Sequence, residues 1–126
     1  MLDMVDSADA LVLAAPVNVG DVTAITRRFM ERLTCYTHWP WDKSTPEQRI
    51  KTLTKRALLV TSTAMPGVMA RFFTRSMGSL KEIAKLVGAK PMGELYIGLA
   101  AQSSDQKLID KEVKRAQILG RKLARS

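Results

Sequence analysis

The sequence predicts an α/β fold built on a parallel sheet, and two patterns carry this prediction. Short apolar runs typical of strands buried on both faces alternate with longer segments whose apolar residues recur at helical spacing. The order is strand, helix, strand, helix, strand, helix, which is typical of parallel strands joined by helical crossovers. The 126 residues, 46% hydrophobic and 25% charged, suit a single domain over residues 1–126.

The first unit is a strand followed by a helix. Residues 9–15 form a nearly uninterrupted apolar run that ends at Pro16, which predicts the first strand. After a loop over 16–20, Asp21 is placed to cap a helix of about three to four turns. The apolar positions of that helix recur at intervals of three and four: Val22, Ile25, Phe29, Met30 and Leu33.

A long connection over residues 34–54 follows and holds both tryptophans and the only histidine. Its length favours either a functional excursion or a partly helical segment over 46–53. Cys35, the single cysteine, cannot form an internal disulfide, and we expect it to be an ordinary buried thiol. With His38 it supplies too few ligands for a metal, so we expect no metal site. The segment from His38 to Trp41 could stack on a flat ring or pack at a subunit interface.

The second unit begins with residues 55–63, which predict a buried strand broken over 64–67. Helical spacing then runs from Val68 to Gly88, a residue suited to ending a helix, and Gly78–Ser79 could divide it. The apolar residues expected to face the core are Phe72, Phe73, Met77, Leu80, Ile83, Leu86 and Val87. The methionines expected to fill the core are Met65, Met69, Met77 and Met92.

The third unit combines a short strand over 93–98 with a last helix. Ser103 and Gln106 have the spacing of a capping box, which predicts that the helix begins there. Its basic residues cluster on one side and are expected to face water. The apolar positions expected to face the sheet are Leu108, Ile109, Val113, Ala116, Leu119 and Leu123.

Composition and charge exclude several classes of protein. The longest apolar runs, 10–17 and 57–60, are far shorter than the roughly 20 residues of a membrane span. The first ten residues carry three aspartates and no Lys or Arg, unlike a signal or transit peptide, so we expect a soluble cytoplasmic protein.

The net charge of +8 is uneven. Residues 1–26 hold four aspartates and no Lys or Arg, so the rest of the chain carries +12. This charge favours an anionic partner, which could be a nucleic acid, a phosphorylated cofactor or an acidic protein surface. Because no nucleic-acid-binding motif is present and aromatic residues make up only 6%, a solvated basic surface is favoured over a nucleic-acid site.

Two loops are candidates for ligand binding, because open parallel sheets bind ligands at the carboxyl ends of their strands. Both loops contain Pro and Gly and precede helices, and the alternative is that they are plain strand-to-helix turns. No Ser-His-Asp set, paired-carboxylate motif or phosphate-binding sequence is present, so we name no catalytic side chain. The candidate residues are Pro16, Val17, Asn18, Val19 and Gly20 in the first loop and Ser62, Thr63, Ala64, Met65 and Gly67 in the second.

The stretch 8–32 resembles a recurrent segment of the flavodoxin-like NAD(P)H-dependent FMN reductases. The matching positions are Ala8-Asp9, Pro16-Val17, Arg27 in place of Lys, Phe29, and Glu31-Arg32 in place of Asp-Arg. Residues 55–67 are similar to that family's next strand and its Pro-Gly loop, and the remainder to its last helix, strand and helix. The resemblance covers nearly the whole chain and implies a flavodoxin-like three-layer fold with a parallel sheet of about three strands.

The resemblance also implies a cofactor and a reaction. The first loop would lie beside the ribityl chain and ring edge of FMN, and the second near its pyrimidine end, both largely through backbone atoms. Hydride would pass directly from NAD(P)H to the flavin, with the protein supplying position. Asn18 stands where the family commonly has an aromatic residue. The family's phosphate-binding loop and its first two strand-helix units have no counterpart before residue 9, so the chain resembles the carboxyl-terminal portion of the family, truncated at the amino end.

The sequence therefore indicates two alternative functions. The first is an FMN-binding, NAD(P)H-dependent oxidoreductase or a fragment of one. The second is a cofactor-free interaction module that keeps part of the fold. A small parallel sheet leaves an edge strand unpaired, so we also expect a homo-oligomer that associates through the edge of strand 9–15 and the segment Tyr36–Trp41.

Overall fold

A mixed sheet lies at the centre of the molecule. The structure is a computed structural model and describes residues 1–125. The strands are β1 (Ala10–Asn18), β2 (Asp21–Val22), β3 (Thr37–His38), β4 (Glu47–Gln48), β5 (Lys55–Ser62) and β6 (Ala89–Ile97). β1, β5 and β6 are parallel, β2 pairs antiparallel with β1, and the order is β2-β1-β5-β6. β3 and β4 form a separate two-stranded hairpin.

Helices cover both faces of this sheet. They are α1 (Leu2–Ser7), α2 (Ala24–Arg32), α3 (Gly67–Phe73), α4 (Ser76–Leu86) and α5 (Asp110–Arg125), with a 3-10 turn at Leu33–Tyr36. α4 packs on all three parallel strands, and α1 and α2 add side chains to the same core. α5 packs on β5 and β6. The predicted three-layer α/β fold with three parallel strands is therefore confirmed.

The main core lies between the sheet and α4. Leu59 of the central strand meets Leu80, Ile83 and Val87, and all four side chains are almost completely buried, as is Leu33. Burying a side chain of this size stabilises the fold by about 1.5–3 kcal/mol. The strongest packing therefore fixes β5 in the middle of the sheet.

A buried polar contact ties the core to the carboxyl end of the sheet. The Thr61 hydroxyl donates to the Ala15 carbonyl oxygen at 3.0 Å and lies 3.1 Å from the Ser76 hydroxyl. Thr61 and Ser76 are both fully buried, and buried hydroxyls are stable only when they are hydrogen-bonded. This contact joins β1, β5 and the start of α4.

The first unit departs from the prediction at its turn. β1 continues to Asn18, and Val19 and Gly20 have φ angles of 49° and 79°, which form the tight turn of a hairpin. Asp21 therefore begins β2, and α2 begins later, at Ala24. The prediction that Asp21 caps the helix was wrong.

The second unit contains two helices where the spacing predicted one, and the division is not at Gly78–Ser79. α3 ends at Phe73 because Thr74 is extended, and its hydroxyl donates back to the Ala70 carbonyl at 2.7 Å. Of the later residues predicted to face the core, Met77, Leu80, Ile83 and Val87 are buried and Leu86 is half-buried. Phe72 and Phe73 on α3 are exposed, and the prediction that they face the core was wrong. Met77 is buried as predicted, whereas Met69 is exposed.

The third unit also shifts. β6 begins at Ala89 and passes through Pro91 at a bulge, which an edge strand tolerates. α5 begins at Asp110, where the Ile109 backbone N–H donates to the Glu112 carboxylate at 3.2 Å, so the capping box predicted at Ser103 was wrong. The prediction for its apolar face holds at Leu123, which is buried, and at Ala116 and Leu119, which are half-buried; it fails at Leu108, Ile109 and Val113, which are exposed.

The long connection folds mostly without helix. After the 3-10 turn, the hairpin of β3 and β4 occupies part of it, and residues 46–53 contain no helix. Leu33 and Tyr36 are the residues of the turn that point inward, and Cys35 between them is exposed, so the expectation of a buried thiol was wrong. The Tyr36 hydroxyl donates to Asp6 at 2.5 Å, and burial together with this carboxylate raises the pKa of Tyr36 to about 12.

Within residues 1–125, no helix has the length and apolar character needed to cross a membrane. Over the same residues, no group of three or more His, Cys, Asp or Glu side chains is arranged to hold a metal ion.

Candidate functional site

The carboxyl edge of the sheet brings the two predicted loops together. Pro16 in β1 is the register partner of Ser62 in β5, so the chain leaves both strands at the same level. Residues 16–20 and residues 62–67 therefore lie side by side at this edge. All ten candidate residues are located there, in the position where open parallel sheets bind ligands.

The first loop is a rigid hairpin tip. Val19 is 99% exposed and has a positive φ, and the Gly20 carbonyl accepts the Arg75 backbone N–H at 2.8 Å. Asn18 is also exposed. The backbone of this loop is thus held against the start of α4, and the Asn18 and Val19 side chains are exposed.

Asp21 clamps this hairpin to two helices. One carboxylate oxygen accepts the Val22 backbone N–H and the Ser79 hydroxyl, each at 2.7 Å, and the other forms an ion pair with Arg27. Partial burial acts to raise the pKa of Asp21, but the hydrogen bonds from Ser79 and Val22 and the charge of Arg27 together lower it below its usual value. Asp21 therefore positions the first loop.

The second loop is held in place by hydrogen bonds of the buried residue Thr63. The Thr63 backbone N–H donates to the Ile97 carbonyl at 2.9 Å, its carbonyl accepts the Ala100 N–H at 2.9 Å, and its hydroxyl accepts the Met65 N–H at 3.3 Å. Thr63 is buried, so it shapes the loop instead of facing a ligand. Ala64 is exposed, and the Ser62 hydroxyl forms no hydrogen bond within the described part of the chain.

A third loop, after β6, completes the edge and was not predicted from the sequence. Leu99 has a φ of 55°, and its N–H donates to the Met65 carbonyl at 3.0 Å. Gly98 lies directly against the backbone of Gly67, so close that a side chain at Gly98 would clash with the Gly67 nitrogen. A glycine at the end of a predicted strand was the only sequence signal of this close approach.

A cleft of about 470 Å³ opens between α3, the end of β6 and the start of α5. It shares Gly67 with the candidate residues but lies beside the two loops, and residues 38–41 do not line it. No local sequence pattern predicted this cleft. A guanidinium from α3, that of Arg71, lies 5.1 Å from the centre of the Tyr96 ring at its margin. Burial and the nearby Glu94 raise the pKa of Tyr96.

The tryptophan segment stands apart from these loops. Trp41 is fully exposed, and Trp39 is largely exposed with its indole N–H donating to the Lys43 carbonyl at 2.9 Å. His38 lies 3.8 Å from the Glu47 carboxylate in the β3–β4 hairpin. Tyr36 is buried within the chain, whereas His38 and the two tryptophans are exposed.

Solved structures similar to this chain share its fold. Smu.1420 from Streptococcus mutans UA159 is 21% identical with a TM-score of 0.62, over 96% of this chain and 62% of that one. A thermophilic tryptophan halogenase (Th-Hal) from Streptomycin violaceusniger is 10% identical with a TM-score of 0.57, over 98% and 70%. A protein from Klebsiella pneumoniae with the designation quinone reductase is 13% identical with a TM-score of 0.58, over 97% and 51%.

These likenesses establish a flavodoxin-like α/β fold. The chain spans 62% of the length of the Streptococcus mutans protein and 51% of that of the Klebsiella protein. No protein-family model matches the chain, and no curated protein matches it in sequence.

Proposed function

We propose that this chain binds FMN at the carboxyl edge of its sheet. We infer that it is an oxidoreductase that transfers hydride from NAD(P)H to FMN, or a part of such an enzyme. The observation that carries the proposal is the meeting of the two candidate loops beside parallel strands in a flavodoxin-like fold. Two of the similar solved structures have names from redox chemistry, a quinone reductase and a tryptophan halogenase, which agrees with this class.

The solvent-accessible groups of the two loops suit a flavin ring, which is flat and apolar on its faces and polar at one edge. Val19 and Ala64 offer small apolar surfaces, and the Asn18 amide and the Ser62 hydroxyl offer hydrogen bonds. These groups are held by Asp21 on one side and Thr63 on the other, so they are positioned before a ligand arrives.

When bound, FMN supplies the acceptor of the hydride from NAD(P)H. The chain's own task is to hold the ring and to exclude water from one of its faces. No acid or base is needed for direct hydride transfer, which fits the absence of a catalytic set among the loop residues. The free cysteine and the expected cytoplasmic location agree with a reducing environment.

The FMN phosphate has no evident partner in the two loops. Neither loop contains a Lys or Arg, and residues 2–7 before β1 form a helix instead of a Ser- and Thr-rich loop. In this chain the ring and the ribityl chain would therefore provide most of the binding free energy. A flavin without phosphate should bind about as well as FMN.

Titration of the purified chain with FMN and with riboflavin tests the proposal. We expect both to lose fluorescence on binding, with dissociation constants within about threefold of each other, less than one charged hydrogen bond would produce. Ala64→Asp should weaken the binding of both flavins by about tenfold, because it places an unpaired carboxylate against the flavin ring. Leu53→Asp, at an exposed apolar residue in the connection before β5, is the matched control and should bind as the wild type does.

Absence of binding of either flavin to the folded chain would exclude flavin binding by this chain alone. Strong preference for FMN would show that a phosphate site exists elsewhere, and equal weakening by both variants would show that the loops are not the site.

A second function is favoured by α3, whose surface is unusually apolar. Phe72 is 79% exposed and Phe73 68% exposed, and Val68 and Met69 beside them are exposed too. Monomeric proteins rarely expose contiguous apolar patches of this kind, which mark interaction sites. The alternative is a cofactor-free interaction module, and its signature would be a stable complex or oligomer that shows no flavin absorption as purified.

A further inference from the structure

The cleft between α3, β6 and α5 has an apolar interior and a basic rim. Its apolar wall includes Val68, Leu99 and Ile109, which all leave substantial side-chain surface in solvent. Three cations line the same cleft: Arg71 on α3 and, on α5, Lys111 and Arg115. The two on α5 are four residues apart and so lie on one side of the helix.

These three cations lack acidic partners. Among residues 1–125, no ion pair joins any of them to a carboxylate. Arg71 lies over the Tyr96 ring, and Arg115 donates to the Glu94 backbone carbonyl at 3.4 Å. The only acid lining the cleft, Glu112, already accepts a backbone hydrogen bond at the start of α5.

A second cleft of about 410 Å³ adjoins the first and is also lined by Arg71, Tyr96 and Arg115. Glu94 lines this second cleft too, and its carboxylate is paired with Lys81 at 2.8 Å. The two guanidinium groups therefore stand where the two openings meet. Guanidinium groups suit oxyanions, since they can donate two parallel hydrogen bonds to two oxygens of a carboxylate, sulfonate or phosphate.

The close contact of Gly98 with Gly67 gives the cleft a fixed wall of bare backbone. A flat group can lie against such a wall, while the apolar side chains around it leave water on binding. We propose that the cleft binds a small ligand that joins a flat aromatic ring to an anionic group, with Arg71 and Arg115 holding the anion. This site lies beside the candidate flavin loops and shares with them only Pro66 and Gly67 of the second loop.

Anilinonaphthalene sulfonate, a flat aromatic anion, is the probe for this site, and phenylnaphthylamine is its neutral counterpart. We expect the anion to bind with enhanced fluorescence and the neutral compound to bind much more weakly. The double variant Arg71→Gln/Arg115→Gln should weaken binding of the anionic probe by about tenfold and leave binding of the neutral compound unchanged. Lys114→Gln, which removes a cation from α5 outside the cleft, is the matched control.

The apolar wall is tested separately. Val68→Ser should weaken both probes, whereas Ile25→Ser, at an exposed apolar residue on α2 that does not line the cleft, should weaken neither. Ala64→Asp, which is expected to disturb flavin binding, should leave the sulfonate bound. Circular dichroism of each variant establishes that the fold is retained.

Competition identifies the anion. Displacement by naphthoate or by naphthyl phosphate, with naphthol ineffective, would support the proposal and show which anion is preferred. Equal binding of the charged and neutral probes, or a double variant that binds the sulfonate as the wild type does, would overturn it. Loss of sulfonate binding in Ala64→Asp would place the probe at the flavin loops and would also overturn it.

Discussion

Val19 is a β-branched residue in a left-handed turn, and its side chain is almost completely in solvent. In this region of φ the branched Cβ crowds the backbone, so the conformation costs free energy that no packing recovers. Asn-Gly is the preferred pair for a two-residue hairpin turn with two positive φ angles, and here Gly20 already occupies the second position. Backbone strain of this kind in a candidate ligand-binding loop is a reason to expect that the Val19 side chain contacts the ligand.

Val19→Asn should therefore stabilise the chain by about 1 kcal/mol, because Asn adopts the turn at lower cost. In the flavin titration it should at the same time weaken binding, because the apolar tip is lost. Urea denaturation gives the stability change. Val68→Asn, at an exposed valine with ordinary helical backbone, is the control and should give no gain in stability. An unchanged or lower unfolding midpoint for Val19→Asn would contradict the strain argument.

At the scale of elements, the sequence predicts the strands and helices better than their junctions. The buried strands and α4 follow from local patterns, because their apolar residues pack on one continuous core. The hairpin at Val19 and the break at Thr74 depend on contacts with distant residues: Gly20 bonds to Arg75, and Asp21 to Ser79. No local pattern reports such contacts.

The candidate site divides in the same way. The two loops were predictable, because the ends of parallel strands meet at one edge. The cleft was not, since its cations come from α3 and from α5, about forty residues later in the chain, and only packing against β6 brings them together. The exposed Phe72 and Phe73 follow helical spacing as well as core residues do, so periodicity alone could not distinguish them.

The contact of α3 with the end of β6 gives a prediction for these two elements. A methyl group at Gly98 would strike the Gly67 backbone, which cannot move as a side chain can, so Gly98→Ala should lower the free energy of unfolding by about 2 kcal/mol. A methyl group at Gly67 would come no nearer than 3.5 Å to any atom outside its chain neighbours and its own helix, so Gly67→Ala should be neutral or slightly stabilising. Thermal unfolding of both variants compares the two sides of one contact. Equal changes in stability for Gly98→Ala and Gly67→Ala would show that the backbone around the Gly98–Gly67 contact can shift to accommodate a methyl group.

For the whole molecule, the decisive feature is the uneven cover of the sheet. α5 lies over β5 and β6, and β1 is left with an open face on that side, where Val12 is 60% exposed. Along Ala10–Pro16, β1 pairs with β5 on one side, and among the described residues its other edge pairs with no strand. An apolar edge of this length without charges is the kind that natural proteins cover or pair.

We predict that the 126-residue chain self-associates through this edge, with two β1 strands pairing antiparallel about a twofold axis. This arrangement would give hydrogen-bond partners to the unpaired backbone groups of both β1 strands and would cover Val12 of both copies. The exposed Trp39 and Trp41 can add apolar area to the same interface. Light scattering at micromolar concentration should give about twice the monomer mass of 14.0 kDa. Val12→Lys should restore the monomer, since it places a charge on the paired face. Ile118→Lys is the matched control, because Ile118 is 61% exposed on α5, and it should remain associated. A wild-type mass near 14.0 kDa at these concentrations would rule this assembly out.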